Sequence, residues 1–133
     1  MGVVDPFIVG VLENEPSWRW FGFAIDEATE GRATVSLIVD SGHVNANEVT
    51  HGAIVFAVAD QAFAMAANTL IPHAATGDAQ IHYLAPSRLG QRLEASAVTS
   101  WADARRAVVD VTVRADGEAV ATYRGMARAT RRA

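Results

Sequence analysis

The sequence contains neither cysteine nor lysine among its 133 residues. Without cysteine the chain has no disulfide bonds, thiol nucleophiles or zinc–thiolate sites, and this composition is compatible with the cytoplasmic location that we expect. All eleven basic residues are arginine, and the formal net charge is −4. This balance argues against general nucleic-acid binding, because that function requires a clustered positive surface.

Several sequence signatures of other protein classes are also missing. Half of the residues are apolar, yet we find no continuous apolar run of membrane length, so we predict no membrane partner. Glycine-rich phosphate loops are absent, and the four histidines do not show a metal-binding spacing, so we expect no metal and no cofactor. The length fits a single domain over residues 1–133, and the acidic N-terminus lacks the features of a signal peptide.

One segment is predicted to form a long helix from about His51 to about Leu70. Its apolar residues recur at offsets of three and four, and the run is too long for a strand. We expect Thr50 to be the N-cap residue, because its hydroxyl can accept from a first-turn amide, and Pro72 lies just beyond the predicted end. The helix is rich in alanine and nearly free of charge, so we expect it to be enclosed on most sides.

Asp60 is the single charged residue inside this predicted helix. An ionised carboxylate in an enclosed helix is unfavourable unless it is paired, hydrogen-bonded or near water, so Asp60 must face a polar niche. Structural ion pairs and catalytic sites both produce such buried acids. Taken alone, Asp60 is therefore either a structural acid or a catalytic one.

The residues that precede the helix favour the catalytic interpretation. Asn45, Asn47 and His51 stand in a short polar stretch, and Gly52 follows at the helix start. A helix N-terminus points free N–H groups and the positive end of the dipole outward, which suits a developing oxyanion. Glycine at this point removes the side chain that would obstruct an incoming carbonyl group. Together with Asp60, these residues indicate a site for carbonyl chemistry.

The spacing of Gly52 and Asp60 leads to a prediction about assembly. They are eight residues apart, which is about 12 Å along a helix axis, so one helix cannot bring both to one carbonyl group. If both act on one substrate, the Gly52 amide of one chain must meet Asp60 of another. We therefore predict a symmetric homo-oligomer, a dimer or a dimer of dimers, with paired sites at the subunit interface.

A specific set of residues in and around the helix, with weaker matches later in the chain, resembles a known family. The set comprises Asn45, His51-Gly52, Phe56 to Asp60, Ala62 to Ala64 and Asn68, followed by Ile81, Tyr83-Leu84, Pro86 and Tyr123 to Gly125. These residues resemble the hotdog-fold acyl-CoA thioesterases, in particular the phenylacetate-degradation (PaaI-type) branch. The resemblance implies a long central helix wrapped by an antiparallel sheet.

The resemblance also implies roles for individual residues. By similarity, Gly52 supplies the oxyanion-binding amide, Asp60 acts from the partner subunit as nucleophile or general base, and Asn45 positions the thioester or the attacking water. His51 and Asn47 are expected to contact the substrate. The branch often has histidine where this chain has Asn47, a difference that is expected to affect the preferred acyl group, and often has a second glycine where this chain has Ala53.

Arginine is suited to coenzyme A because its planar guanidinium binds phosphates in a bidentate manner. Arg88 follows Pro86 in a predicted loop, and Arg105 and Arg106 lie at a predicted hairpin turn. We predict these three arginines as candidates for the phosphates of the substrate. Coenzyme A is then part of the substrate and not a cofactor.

The rest of the chain has the pattern of a sheet. Alternation of apolar and polar residues is clearest from Val109 to Arg114, and Ala115 to Glu118 is a good hairpin turn. The predicted strands are Gly22 to Asp26, Val35 to Val39, Ala79 to Leu84, Arg92 to Trp101, Ala107 to Arg114 and Val120 to Thr130, with a short helix near Pro6 to Asn14. This helix leads into the aromatic residues Trp18, Trp20, Phe21 and Phe23, which we expect to pack against the sheet or to line an acyl pocket. One long helix and about six strands without regular strand–helix alternation indicate an α+β fold.

The sequence thus predicts a thioester hydrolase that converts an acyl-CoA to a free acid and coenzyme A. The acyl group is left open between aryl groups, such as phenylacetyl or hydroxyphenylacetyl, and short or medium aliphatic chains. Two alternatives remain at this point. One is a hotdog-fold enoyl-CoA hydratase or dehydratase, and the other is a noncatalytic dimer that binds acyl-CoA.

Overall fold

A computed structural model describes residues 2–130 of the chain, which form three helices and six strands. The elements are α1 (Pro6–Glu13), α2 (Pro16–Phe21), β1 (Ala24–Thr29), β2 (Arg32–Ile38), α3 (Gly52–Leu70), β3 (Ala75–Tyr83), β4 (Arg92–Ala102), β5 (Arg106–Ala115) and β6 (Glu118–Arg128). All six strands form one antiparallel sheet in the order β1-β2-β4-β5-β6-β3. The predicted α+β arrangement of one long helix and about six strands is confirmed.

The strands follow from alternating side chains and tight turns. Along β5, Ala107, Val109, Val111 and Val113 are buried while the residues between them face the outer surface of the sheet. The predicted turn between β5 and β6 is confirmed, with Asp116 and Gly117 at φ of 49° and 91°. Positive φ at both central residues is the requirement of the two-residue turn that matches the twist of a hairpin.

Several strand boundaries differ from the prediction by one to four residues, and the differences are largest at the end of β1 and at the starts of β2 and β3. β1 extends to Thr29, because the turn to β2 needs only Glu30 and Gly31, both of which have positive φ. β3 begins at Ala75, four residues before the predicted Ala79, because the chain pairs with β6 soon after the helix ends. Polar residues at the start of β3 concealed this pairing, since most of the strand is exposed.

Helix α3 packs on the inner face of the sheet with Val58, Ala59 and Phe63 among its fully covered side chains. Its small residues allow the strands to approach closely, as the alanine content predicted. The predicted N-cap at Thr50 is wrong. Thr50 is buried, and its hydroxyl accepts a 2.7 Å hydrogen bond from Ser87, whereas the imidazole of His51 caps the helix by accepting from the Ala53 amide at 3.1 Å.

By length and composition, α3 has enough apolar residues to cross a membrane, contrary to our expectation for this chain. In the fold, however, its most apolar face is covered by the sheet of the same chain, and Asp60, Gln61 and Asn68 interrupt the remainder. The helix thus forms the centre of the core.

Helix α2 was not predicted. It carries the aromatic residues that we expected to pack on the sheet or to line an acyl pocket. Trp18 and Phe21 do pack against the buried ring of Phe23, with ring centroids 5.3 and 5.0 Å from it. Trp20 lies on the outer side of this short helix and is 79% exposed, so the expectation of packing is wrong for that residue.

Candidate active site

The first turn of α3 leaves one main-chain donor available. The carbonyl oxygen of His51 accepts from the amides of Ile54 and Val55, and the His51 imidazole accepts from Ala53. Within residues 2–130 the Gly52 amide has no hydrogen-bond acceptor. The helix dipole places partial positive charge at this end, so the Gly52 N–H is a donor for an anion or an oxyanion.

A cleft of about 360 Å³ lies beside this donor. Tyr83, at the end of β3, donates a 3.0 Å hydrogen bond to the carbonyl oxygen of Gly52, which ties the helix start to the sheet edge. The walls are mostly small or apolar, and the cleft is lined by Val49, Thr50, Gly52, Val55, Tyr83, Leu84, Ala85, Pro86 and Ser87. An apolar cleft with a main-chain donor at its base suits an acyl carbonyl group.

Asn45 shapes the loop that leads into the helix. Its side-chain oxygen accepts hydrogen bonds from the backbone amides of Asn47 and Val49 at 2.9 and 3.2 Å. Its backbone amide donates to the Val49 carbonyl oxygen at 2.8 Å. Because the oxygen serves the loop, the NH₂ group of Asn45 is the part of the side chain left for a substrate. The exposed side chains of Asn47 and His51 lie in the same segment.

The three predicted arginines do not lie together. Arg88 lies beside the Gly52 cleft, because it forms a β-bridge with Val49 and follows Ser87 of the cleft wall. Arg105 and Arg106 lie at the turn between β4 and β5, where Arg106 forms a 3.0 Å ion pair with Asp103.

The register of the sheet sets the separation of the two arginine positions. Tyr83 pairs with Ala121, which pairs with Val113, so the Gly52 cleft is level with Val113 on β5. Arg106 precedes Val113 by seven residues, which is on the order of 23 Å along a strand. Within one chain, therefore, Arg88 is close to Gly52, and Arg105 and Arg106 are at the other end of the sheet.

Asp60 lies two turns into α3 on the flank that faces β6 and β3. Its carboxylate oxygen Oδ1 accepts a 2.8 Å hydrogen bond from the hydroxyl of Tyr123, and the side chain is half-buried. Burial raises the pKa of Asp60 above the ordinary value for an aspartate, and the hydrogen bond from Tyr123 acts in the opposite direction. A carboxylate in this environment is a stronger base than an exposed one, which fits both proposed roles.

Tyr123 is the important residue that the sequence analysis left without a role. Burial and the nearby charge of Asp60 raise the pKa of its hydroxyl far above the usual range, so the hydroxyl stays protonated and remains a donor. The sequence feature that could have indicated it is a tyrosine at an inward position of β6, among the small residues Ala121, Gly125 and Ala127. A buried phenol requires a hydrogen-bond partner.

Comparison with known proteins places this geometry in a family. A model of the thioesterase superfamily matches residues 47–122, which include Gly52, Asp60 and most of the sheet. The chain belongs to the thioesterase superfamily. Members of this superfamily are thioester hydrolases, and the predicted enzyme class is thereby confirmed.

The relatives identify the branch. The acyl-coenzyme A thioesterase PaaI of Escherichia coli is 31% identical over 116 residues, which are 86% of this chain and 83% of that protein. The structure of the E. coli PaaI protein from the phenylacetic acid degradation operon superposes with a TM-score of 0.89 over 92% of this chain and 90% of that chain, at 27% identity. The chain is therefore a PaaI-type thioesterase with the hotdog fold.

Two further proteins are similar to this chain. The structure of a mutant of the phenylacetic acid degradation protein PaaI from Thermus thermophilus has a TM-score of 0.84 and 30% identity, and covers 87% of this chain and all of that one. An esterase homologue from Archaeoglobus fulgidus is 35% identical over 87 residues, which are 65% of this chain and 56% of that relative. The match thus spans little more than half the length of the A. fulgidus protein.

Proposed function

We propose that the protein hydrolyses an acyl-CoA thioester to a free carboxylic acid and coenzyme A, in a homodimer or a dimer of dimers with sites at the subunit interface. The observation that carries the proposal is the presence, in one chain, of a Gly52 main-chain donor without an acceptor among residues 2–130 and of a half-buried carboxylate at Asp60. These are the two groups that acyl transfer requires, since one stabilises the oxyanion and the other supplies or activates the nucleophile.

The reaction is assigned to the residues as follows. The thioester carbonyl oxygen accepts from the Gly52 amide, and the NH₂ group of Asn45 orients the thioester or the water. Asp60 of the partner subunit attacks the carbonyl carbon or takes a proton from the attacking water. The carbon–sulfur bond breaks, the sulfur leaves as a thiolate and is protonated, and water supplies the new oxygen of the acid. Coenzyme A enters with the substrate, so the proposal requires no separate cofactor and no metal.

The two edges of the sheet support a dimer formed along β3. The edge at β1 is covered in part by the N-terminal segment, where the Gly2 amide donates to Asp26 at 3.0 Å and the Ala28 amide donates to Val3 at 2.9 Å. The edge at β3 has no strand beside it among the described residues, and most of its side chains are exposed. An open edge is a surface on which a second strand can pair.

Pairing of two β3 strands would bring two copies of the site toward each other. Gly52 contacts Tyr83 at the end of β3, and Asp60 contacts Tyr123, whose neighbour on β3 is Ile81. Both functional groups therefore lie near this edge, and the β3 residues that mark their positions, Tyr83 and Ile81, are two residues apart. An antiparallel partner that pairs near this point would place its Asp60 close to Gly52 of the first chain.

The acyl group is proposed to be aryl-acyl, such as phenylacetyl or hydroxyphenylacetyl, or short to medium aliphatic. The two PaaI relatives, whose names place them in phenylacetic acid degradation, support the aryl choice. The mostly apolar walls of the Gly52 cleft suit either kind of acyl group. Arg88 beside the cleft is proposed to bind a phosphate of coenzyme A, and Arg105 and Arg106 remain candidates for a part of the substrate that lies farther from Gly52.

The test is a thiol-release assay with purified protein and a panel of aryl and alkyl CoA esters, run beside Asp60→Asn. This substitution keeps the shape of the side chain but removes the base, so we expect turnover to fall more than about a hundredfold while binding is largely retained. Near-normal hydrolysis by Asp60→Asn would refute the assignment.

The same panel separates the two alternatives. A hydratase or dehydratase would change the enoyl- or hydroxyacyl-CoA without release of free thiol. A noncatalytic binding protein would retain acyl-CoA unchanged, and Asp60→Asn would leave its binding as it was. Release of thiol in proportion to free acid, lost in Asp60→Asn, excludes both.

A further inference from the structure

The hydrogen bond between Tyr123 and Asp60 joins the core of the sheet to the candidate catalytic group. We propose that Tyr123 is a positioning residue that holds Oδ1 of Asp60 and leaves Oδ2 as the oxygen that attacks the thioester or takes a proton from water. The hydroxyl and Oδ1 are 2.8 Å apart, and Oδ2 has no protein partner within residues 2–130. The inference rests on the proposed function, because it assigns a role toward Asp60.

Tyr123 is fixed by its packing. Its ring lies 5.5 Å from the ring of Phe56 and 5.6 Å from that of Phe63, the residues about one turn before and one turn after Asp60 on α3. The side chain is only 3% exposed, and β6 is held between β5 and β3. The hydroxyl therefore has a defined position from which it can hold the carboxylate in one rotamer.

Gly125 explains how these rings fit together. A Cβ atom at Gly125 would lie 2.7 Å from the Phe63 ring, closer than real contacts allow, so a side chain here would displace Phe63. Displacement of Phe63 would remove one of the two rings that enclose Tyr123. In the Tyr123-Arg124-Gly125 segment, Tyr123 thus supplies the hydrogen-bond donor, and the missing side chain at Gly125 leaves room for the Phe63 ring that packs on Tyr123.

Few other charges act on this pair. On β3, the charge of Asp78 is near enough to raise the pKa of Tyr123 slightly further. Asp110 on β5, Arg124 on β6 and His82 on β3 line a cleft on the outer face of the sheet, where Arg124 is paired with Asp110. Asp60 itself, on α3, has no charged partner among the described residues, and the two effects resolved on its pKa are burial, which raises it, and the Tyr123 hydrogen bond, which lowers it.

A purely structural role for the tyrosine would have a different consequence. If the carboxylate only satisfied a buried phenol, removal of the hydroxyl would alter stability but would leave the pH dependence of the reaction in place. If Tyr123 positions Asp60 and stabilises its anion, removal of the hydroxyl moves the titration of Asp60 to higher pH. The reactive form is the carboxylate, so activity then appears at higher pH.

The experiment compares Tyr123→Phe with the natural protein in the pH profile of kcat/KM for thiol release. We expect the acidic limb to move up by about one pH unit, with a loss of about tenfold on that limb that becomes smaller at higher pH. Ser36→Ala is the matched control, because it also removes a buried hydroxyl from the sheet but contacts no part of Asp60. Its acidic limb should not move.

A second measurement does not depend on substrate. The ¹³C carboxyl resonance of Asp60, assigned by its loss in Asp60→Asn, should titrate at higher pH in Tyr123→Phe than in the natural protein. If Tyr123→Phe does not fold, incorporation of 3-fluorotyrosine keeps the ring and makes the phenol a stronger donor, so the Asp60 titration should move to lower pH. An unchanged Asp60 titration in whichever of these two proteins folds would overturn the inference.

These outcomes distinguish this inference from the proposed function. If Asp60→Asn keeps its activity, the proposed function fails, whatever the titration shows. If Asp60→Asn is inactive and the titration in Tyr123→Phe is unchanged, the hydrolase assignment stands and Tyr123 has only a structural role.

Discussion

The two parts of the candidate site are built in different ways. The Gly52 part is a main-chain donor at the protein surface, held by loop hydrogen bonds that the Asn45 side chain accepts and by Tyr83. The Asp60 part is a side chain set among buried rings and held by Tyr123. The difference reflects the chemistry. An oxyanion donor needs only a free and correctly aimed N–H, whereas a strong carboxylate base needs partial burial, which only the core provides.

This contrast predicts that the N–H donor of Gly52 can be removed without damage to the fold. Gly52 is the first residue of α3, where proline is well tolerated, and His51 before it has φ −59° and ψ 135°, a conformation that a following proline favours. Gly52→Pro therefore deletes the donor N–H and keeps the helix. We expect kcat to fall about 100- to 1000-fold, measured by thiol release.

Gly52→Ala is the matched control for that variant. It adds a Cβ atom at the same position, about 3.4 Å from the ring of Tyr83, but keeps the N–H. We expect it to retain most of the activity. Equal losses in the alanine and proline variants would show that crowding of the cleft, and not the amide, limits the reaction.

The second prediction concerns where the two parts meet. If each site takes Gly52 from one subunit and Asp60 from the other, unfolding and refolding an equal mixture of Gly52→Pro and Asp60→Asn restores activity. Half of the dimers are then mixed, and each mixed dimer has one intact site, so we expect about a quarter of the natural activity from two inactive proteins. A mixture that stays inactive, although mass spectrometry detects mixed dimers, would place both groups of one site in the same chain.

The same contrast explains what could be predicted from sequence. The helical period of α3, the alternation in β5 and the Asp116-Gly117 turn are local patterns, and they predicted the fold well. The exposed strand β3 was placed too late because its sequence lacks an apolar alternation. Pairing with β6, which depends on residues far along the chain, is what makes it a strand from Ala75 onward.

The residues of the site divide in a similar way. Gly52 and Asp60 were predictable, because a glycine at a helix start and a charge in an apolar helix are unusual within a short window. Tyr123 could not be assigned, since its partner is 63 residues away and only the fold brings them together. The separation of Arg88 from Arg105 and Arg106 could not be predicted either, because it depends on the register of the strands, which composition does not reveal.

The smallest expected effect is on stability, and it has opposite signs for two aspartates. The folded-state pKa of Asp60 is raised, so the fold binds its proton more tightly than the unfolded chain does. The free energy of unfolding then falls as pH rises from the ordinary aspartate value of 3.8 toward the raised one. Asparagine resembles the neutral form, so Asp60→Asn should melt about 3 °C higher than the natural protein at neutral pH.

Asp110 is the comparison, because the hydrogen bond from Arg124 holds its pKa below the ordinary value. It contributes stability that is present above the unfolded pKa and is lost as pH falls, so Asp110→Asn should melt at the same temperature as the natural protein or slightly lower. Melting curves at equal protein concentration, recorded from neutral pH down to about pH 4, test both signs, since the gain in Asp60→Asn should shrink with pH. A lower melting temperature for Asp60→Asn at neutral pH would mean that the Asp60 carboxylate stabilises the fold, as expected of a structural acid.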